Sequence, residues 1–184
     1  LCDPLVTEVV CMKSAQIGWS EILNNIVGYF IDLDPKPMMF VVPRENDAKD
    51  YGRKRIAPMI NACPALKEKV REAKARKGGN TLQLKEFPGG FLKLTGANSG
   101  AGLRSDPVPI VLFDEVDAYP DDVNGEGDPI EIGTRRTDQY PDCKILKGST
   151  PGKPKGSSRI EKDWERSDQR RFYVPCPHCG HLQP

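Results

Sequence analysis

The segment VPIVLFDE, residues 108–115, constrains the fold more than any other stretch. Its apolar side chains follow one another without the alternation of a half-wet strand, and the run stops at two acids. Such a run needs cover on both faces, so it predicts a buried central strand. Three more short apolar runs belong with it: VTEVVCM (6–12), PMMFVVP (37–43) between prolines, and KILKGSTP (144–151), which ends in a turn. Between them the period becomes helical. Ile22, Leu23, Ile26, Val27 and Phe30 recur at that spacing, with Ser20 or a neighbour as the start. Residues 45–70 are charged and helical in period, interrupted at Pro58 and Pro64, and SSRIEKDWERSD reads as a further helix. The alternating runs NTLQLKEF and GFLKLTG, joined by PGG (88–90), predict a β-hairpin. Strands alternating with helices predict an α/β fold, a mainly parallel sheet with helices on both faces.

Composition adds outer bounds. The chain has 184 residues, enough for one domain with a real core. Hydrophobic residues make up 38% and charged residues 29%, ordinary for a soluble protein. A net charge of +1 does not by itself call for nucleic acid. The basic clusters RKRI (53–56) and KEKVREAKARK (67–77) read first as solvated faces. No apolar run approaches the roughly 20 residues that cross a bilayer, and no signal peptide opens the chain. Leu1 leads straight into a strand pattern, so the N-terminus reads as cut or processed. Cys2, Cys11, Cys63 and Cys143 are scattered singly, which fits reduced thiols in a cytosol-like compartment. Only Cys176 and Cys179 are spaced as a pair.

In sheets of this class ligands bind at the carboxyl ends of the strands. Three predicted strands end in polar, chemically able residues: Lys13 to Ser20, Asp114–Glu115 and Ser149–Thr150. The first, MKSAQIGWSE (12–21), follows the phosphate-loop order G-x-x-x-x-G-K-[ST] with its lysine displaced. Gly18 and Ser20 occupy their expected places; Trp19 takes the lysine slot and Lys13 the first glycine slot. Backbone N–H groups of Ser14, Ala15, Gln16, Ile17, Gly18 and Trp19 can wrap phosphate oxygens, aided by the dipole of the following helix. Lys13 supplies the cation from the other side of the loop, and Ser20 a ligand for Mg²⁺. The bland alternative is a strand, a turn and a helix start.

Asp114 is placed to hold Mg²⁺, and Glu115 to orient and activate an attacking water. Two adjacent carboxylates at a buried strand end are costly unless a cation meets them; the alternative is a solvated acidic turn. Ser149 and Thr150 can bond near a γ phosphate and report its loss, or form a hydroxyl-rich turn before Pro151. Arg104, in the Gly-rich NSGAGLRSD (98–106), can reach toward a phosphate of its own site or a neighbour's, hold a DNA phosphate, or remain solvated. Cys176-Pro-His-Cys179-Gly180 is a tight knuckle that aims two sulfurs at one metal. It is half of a tetrahedral zinc site, with His178 and His181 as poor further ligands.

Taken in order, VVCMKSAQIGWSE, LFDEVDAYPDD, KGSTP and YVPCPHCG resemble the large terminase subunit of lambda-like tailed phages. The resemblance covers essentially the whole chain and includes the displaced lysine. It implies an additional-strand, RecA-like P-loop fold and an ATPase motor that pumps double-stranded DNA into a procapsid. It implies ATP and Mg²⁺ as cofactors; Zn²⁺ is suggested only by the Cys176–Cys179 spacing, as a half-site. The implied partners are the small terminase subunit, the portal and a ring of identical chains, in the host cytoplasm with no membrane. By the same resemblance, Lys13 to Ser20 is the Walker A loop, Asp114 and Glu115 are Walker B and the catalytic carboxylate, and Ser149–Thr150 is the coupling motif. Arg104 is similar in placement to a terminase arginine finger. The expected division is an N-terminally incomplete ATPase domain over 1–175, and at 176–184 the start of a truncated knuckle or linker toward a nuclease domain. Nuclease carboxylates are expected beyond this stretch, not within it.

Two rival readings use some of the same residues. DEVD (114–117) resembles the DExD box of superfamily-2 helicases, and GST (148–150) their Ser-Ala-Thr motif. Against that stand the lysine position and the lack of a second motor domain. A non-enzymatic nucleic-acid-binding protein, using the knuckle and the basic clusters, predicts no Mg²⁺-dependent ATP binding.

Overall fold

The structure, a computed structural model, describes residues 3–70, 80–154, 156–171 and 173–183. Cys2 and residues 71–77 of the second basic cluster lie outside that set. Its centre is a six-stranded sheet. The strands are β1 (Glu8–Met12), β2 (Met38–Val42), β3 (Leu84–Phe87), β4 (Gly90–Gly96), β5 (Ile110–Asp114) and β6 (Lys144–Ser149). They lie in the order β1-β6-β5-β2-β4-β3. Every neighbouring pair is parallel except the β3–β4 hairpin. In register, Met12 pairs with Ser149, Asp114 with Gly148 and Val42 with Gly96, so these strand ends share one rim.

Burial explains the uninterrupted apolar runs. All five residues of β2 and of β5 are buried. Their side chains alternate between two cores. Met38, Phe40, Ile110 and Leu112 join one with Leu23, Val27 and Phe30 of helix α1 (Trp19–Asp32). Met39, Val41, Val111 and Phe113 join the other, with Leu103, Ile130 and Ile160 from the opposite face. Helices α5 (Gly100–Arg104), α6 (Pro129–Thr134) and α7 (Arg159–Glu165) carry those last three residues.

Two of the sequence expectations change. Residues 45–70 break at Pro64, where Cys63 is extended with φ −103° and ψ 110°, but not at Pro58. There α2 (Glu45–Tyr51) passes through a widened π turn (Gly52–Ile56) into α3 (Ala57–Ala62), before α4 (Pro64–Lys69). Proline has no N–H for the carbonyl four residues back. The turn widens just ahead of it, and the Ala57 N–H donates to Gly52 O, five residues back. The Gly-rich segment at 98–106 is also not a plain loop: Gly100–Arg104 is helical, and Ser99 Oγ caps it by accepting from Gly102 N. No helix among the described residues is long and apolar enough to cross a membrane.

Candidate functional site at the carboxyl rim of the sheet

Lys13 leaves β1 in strand register, with its backbone N–H on Ser149 O at 3.1 Å. Its side chain turns across the rim. Nζ donates to Glu115 Oε1 at 2.6 Å and lies 3.4 Å from Thr150 Oγ1. The lysine side chain is only 6% exposed and the glutamate 42%, so the cation is the buried partner. The three strand ends read from the sequence therefore do converge.

Glu115 reaches the lysine because the chain turns sharply after β5. Its φ and ψ are 57° and 51°, the left-handed region that a residue with a Cβ enters at a cost of about 1 kcal/mol or more. The turn is fastened by Glu115 N donating to Gly148 O (2.8 Å) and Ala118 N donating to Glu115 O (3.0 Å). A short 3-10 turn (Val116–Ala118) follows.

Asp114 is buried, and among the described residues its Oδ1 has no hydrogen-bond partner. Burial first, then the neighbouring Glu115 charge, push its carboxyl up to about 6. Lys13 opposes that shift, as does the nearby Trp19 indole, yet among the described residues Trp19 Nε1 has no partner within hydrogen-bond geometry. A desolvated carboxylate with an unused oxygen on a phosphate-loop rim fits an outer or inner ligand of Mg²⁺. That ion takes one or two protein groups and fills its octahedron with phosphate and water. Ser20, at the first turn of α1, is the second candidate ligand.

The loop itself is exposed from Ser14 to Gly18. Gln16 (φ 60°) and Gly18 (φ 82°) are left-handed, and Gly18 caps α1 with no side-chain bond. Trp19 differs from its neighbours: it is buried, and its indole covers Gly148 of β6 so closely that a Cβ there would overlap it. Only its backbone N–H remains for a nucleotide. On the far side, Tyr51 Oη lies 2.9 Å from Asn24 Oδ1 and 3.3 Å from Ser20 O, tying α1 to α2.

Two expected participants stand apart. Arg104 ends α5 and pairs with Glu126 (2.9 Å) rather than with Lys13 or the two acids. Cys176 and Cys179 lie on the turn of a small hairpin, β7 (Val174–Pro175) and β8 (Leu182–Gln183), where Gly180 is left-handed at φ 71°. Backbone N–H groups of His178 and Cys179 hold the Cys176 thiol below its ordinary value. The expectation of zinc finds no support: among the described residues no three His, Cys, Asp or Glu side chains gather as a metal site. Two thiols leave half a tetrahedron unfilled.

The sequence reading gave no role to Asp117 or Arg159. Asp117 was visible only as the third acid of DEVD, and Arg159 only as the residue after Ser158. The spacing Ser158-x-x-Glu161 is a helix-start signature, and Ser158 Oγ does accept from Glu161 N at 3.1 Å.

A sequence profile of the ATPase domain of the phage terminase large subunit gpA matches residues 1–184. The chain belongs to the phage terminase large-subunit family. The large terminase subunit of Enterobacteria phage P21 is 36% identical over 184 residues, 98% of this chain and 28% of the relative. That of Escherichia phage lambda is 32% identical over 181 residues, 97% of this chain and 28% of the relative. The chain thus spans 28% of the length of these terminases. In fold it is similar to the HK97 bacteriophage large terminase, with a TM-score of 0.67 at 12% identity over 88% of this chain and 33% of that one. It is similar too to the ATPase domain of the Thermus phage P74-26 large terminase, with a TM-score of 0.54 at 17% identity over 96% of this chain and 71% of that one. The fold is consistent with the additional-strand P-loop type, with β6 lying between β1, which leads into the 13–20 loop, and the acidic strand β5. None of these comparisons favours a superfamily-2 helicase.

Proposed function

We propose that this segment is the motor of a phage terminase large subunit, coupling Mg²⁺-dependent ATP hydrolysis to translocation of double-stranded DNA into a procapsid. The observation that carries the reading is the meeting of Lys13 Nζ with Glu115 Oε1 at 2.6 Å, beside the buried Asp114. A cation, a base and a metal-ligand carboxylate are what phosphoryl transfer to water requires of a protein.

In this reading the backbone from Ser14 to Trp19 cradles the phosphates, and Lys13 leaves Glu115 to meet the β and γ phosphate oxygens. Ser20 and Asp114 would hold Mg²⁺, which would neutralise charge on the phosphates. Glu115, released from Lys13, accepts a proton from the water as its oxygen attacks the γ phosphorus; the bond from that phosphorus to the β–γ bridging oxygen breaks, and ADP and phosphate leave. Ser149 and Thr150 sense the departing phosphate through their contacts with Glu115 and Lys13. Arg104, exposed at the end of α5, is offered to the site of a neighbouring subunit in a ring. The intact protein would work in the host cytoplasm with a small subunit and a portal, and would cut concatemeric DNA with a nuclease domain lying beyond residue 184.

The experiment is Glu115→Gln in the intact chain, with ATP affinity and turnover measured separately. Affinity should stay within a few-fold, while turnover falls about 10²- to 10⁴-fold, as for removal of a positioned base. Turnover at the unsubstituted rate would reject Glu115 as the base.

A further inference from the structure

Asp117 follows the two rim acids and is 6% exposed. A carboxylate so buried needs partners, and it has them on two separate segments. Its Oδ2 accepts from Gly152 N at 2.9 Å, in the chain leaving β6. Its Oδ1 accepts from Arg159 N at 2.8 Å and Ile160 N at 3.0 Å, the first residues of α7. Its own N–H reaches Ser149 Oγ at 3.3 Å. Burial works to raise this carboxyl, but the N–H groups of Ile160, Gly152 and Arg159, with the Ser158 hydroxyl, outweigh it and hold the group below its ordinary value.

These bonds join groups that the hydrolytic reading otherwise treats singly. Ser149 Oγ lies 3.5 Å from Glu115 Oε2 and 3.0 Å from Thr150 O. Thr150 Oγ1 in turn lies 3.4 Å from Lys13 Nζ. On the far side Arg159 locks α7 to the turn after β5, donating to Tyr119 O (3.2 Å) and Pro120 O (2.8 Å) and pairing with Asp121 and Asp128, both at 3.1 Å. Asp163, one turn further along α7, pairs with Lys147 of β6 at 3.1 Å, and Lys147 with Glu8 of β1 at 2.7 Å. A residue that merely capped α7 would need one oxygen there. Asp117 divides its two oxygens between α7 and the segment that carries Ser149 and Thr150.

We infer that Asp117 is a positioning residue for hydrolysis, holding Ser149 and Thr150 against Glu115 and Lys13 and making the start of α7 follow them. This rests on the ATPase reading above. Asp117 touches no reacting atom; it acts through the 149–152 segment. An asparagine at 117 keeps the size but not both acceptors. Its amide group must face either the Gly152 N–H or those of Arg159 and Ile160, donor against donor, so one of the two links breaks.

The test compares Asp117→Asn with the unsubstituted intact chain. Sites are first titrated with a nonhydrolysable ATP analogue and Mg²⁺. Turnover per titrated site is then measured, with amide hydrogen exchange over 150–160 followed with and without the analogue. The expected result is analogue affinity within about threefold, turnover per site at least tenfold lower, and loss of the analogue-dependent change in exchange. A purely structural role would lower the number of titrated sites and leave turnover at each of them intact, which would overturn the inference. So would exchange in the variant that still responds to the analogue. Ser149→Ala removes the hydroxyl on the same link without a buried carboxylate to resettle. It should show the same loss of turnover at kept affinity, and unchanged turnover there also overturns the inference. Failure of the unsubstituted chain to bind Mg·ATP would overturn the ATPase reading and the inference together, an outcome distinct from a silent Asp117→Asn.

Discussion

At the scale of single residues, the site is an arrangement of charges that burial makes expensive. Lys13 is the buried member of its pair with Glu115, and Asp114 sits beside them with an oxygen that no described residue bonds. Because the Asp114 carboxyl is raised to about 6, folding retains a proton there that an unfolded aspartate loses near 4. Stability of the nucleotide-free protein should therefore fall, through this group, as pH rises from about 4 to about 6. Asp114→Asn should remove that component. Its stability relative to the unsubstituted chain should grow across the window by roughly 2 to 3 kcal/mol, since each tenfold change in proton affinity is worth about 1.4 kcal/mol. Thermal melts at several pH values read this directly, and a difference that does not change with pH would show that Asp114 is not desolvated. Lys13, Asp114 and Glu115 were legible in the sequence because strand ends in a parallel sheet share a rim. Trp19 was not: read as part of the phosphate loop, its side chain is buried against Gly148, which the linear motif cannot express. Asp117 was missed because its partners are backbone N–H groups 35 to 43 residues away.

At the scale of elements, strands were easier to read than short helices. A strand buried on both faces announces itself by an unbroken apolar run, as β2 and β5 do. The hairpin of β3 and β4 was equally plain from alternation and PGG. Helices α5 and α6 have five and six residues, too few for a 3.6-residue period to show. Only their caps, Ser99 and the Asp128-Pro129 pair, could have marked them, and neither was read as a helix start. The π turn before Pro58 was hidden because proline was expected to break the helix rather than widen it. The turn also packs closely, since a Cβ on Gly52 would overlap the backbone carbonyl of Leu82. Gly52→Ala should therefore destabilise the fold by about 1 to 3 kcal/mol, as for overpacking. Gly28→Ala is the contrast. Its Cβ would meet Leu66 Cδ1 at an ordinary 3.6 Å inside α1, so it should stabilise by about 0.5 to 1 kcal/mol. Denaturant unfolding of both variants checks the pair; equal effects of the same sign would contradict the packing described here.

At the scale of the whole molecule, the order of strands does the work of assembly. Inserting β6 between β1 and β5 places Ser149 and Thr150 between the lysine and the acids. From there Asp117 and α7 extend the connection to the opposite core, where Ile160 is buried. Arg104 and the Cys176–Cys179 turn lie away from this line. Their expected roles involve partners or further chain that the sequence pattern suggested but no contact among the described residues supplies. The central claim is that one magnesium nucleotide lies between Lys13 and the two acids. The most direct measurement is a crystal structure of the intact chain with a nonhydrolysable ATP analogue and Mg²⁺. The account predicts the metal within reach of Ser20 and Asp114, the γ phosphate against Lys13, and the bond from Lys13 to Glu115 opened. An analogue bound elsewhere, with that 2.6 Å pair still closed, would contradict it.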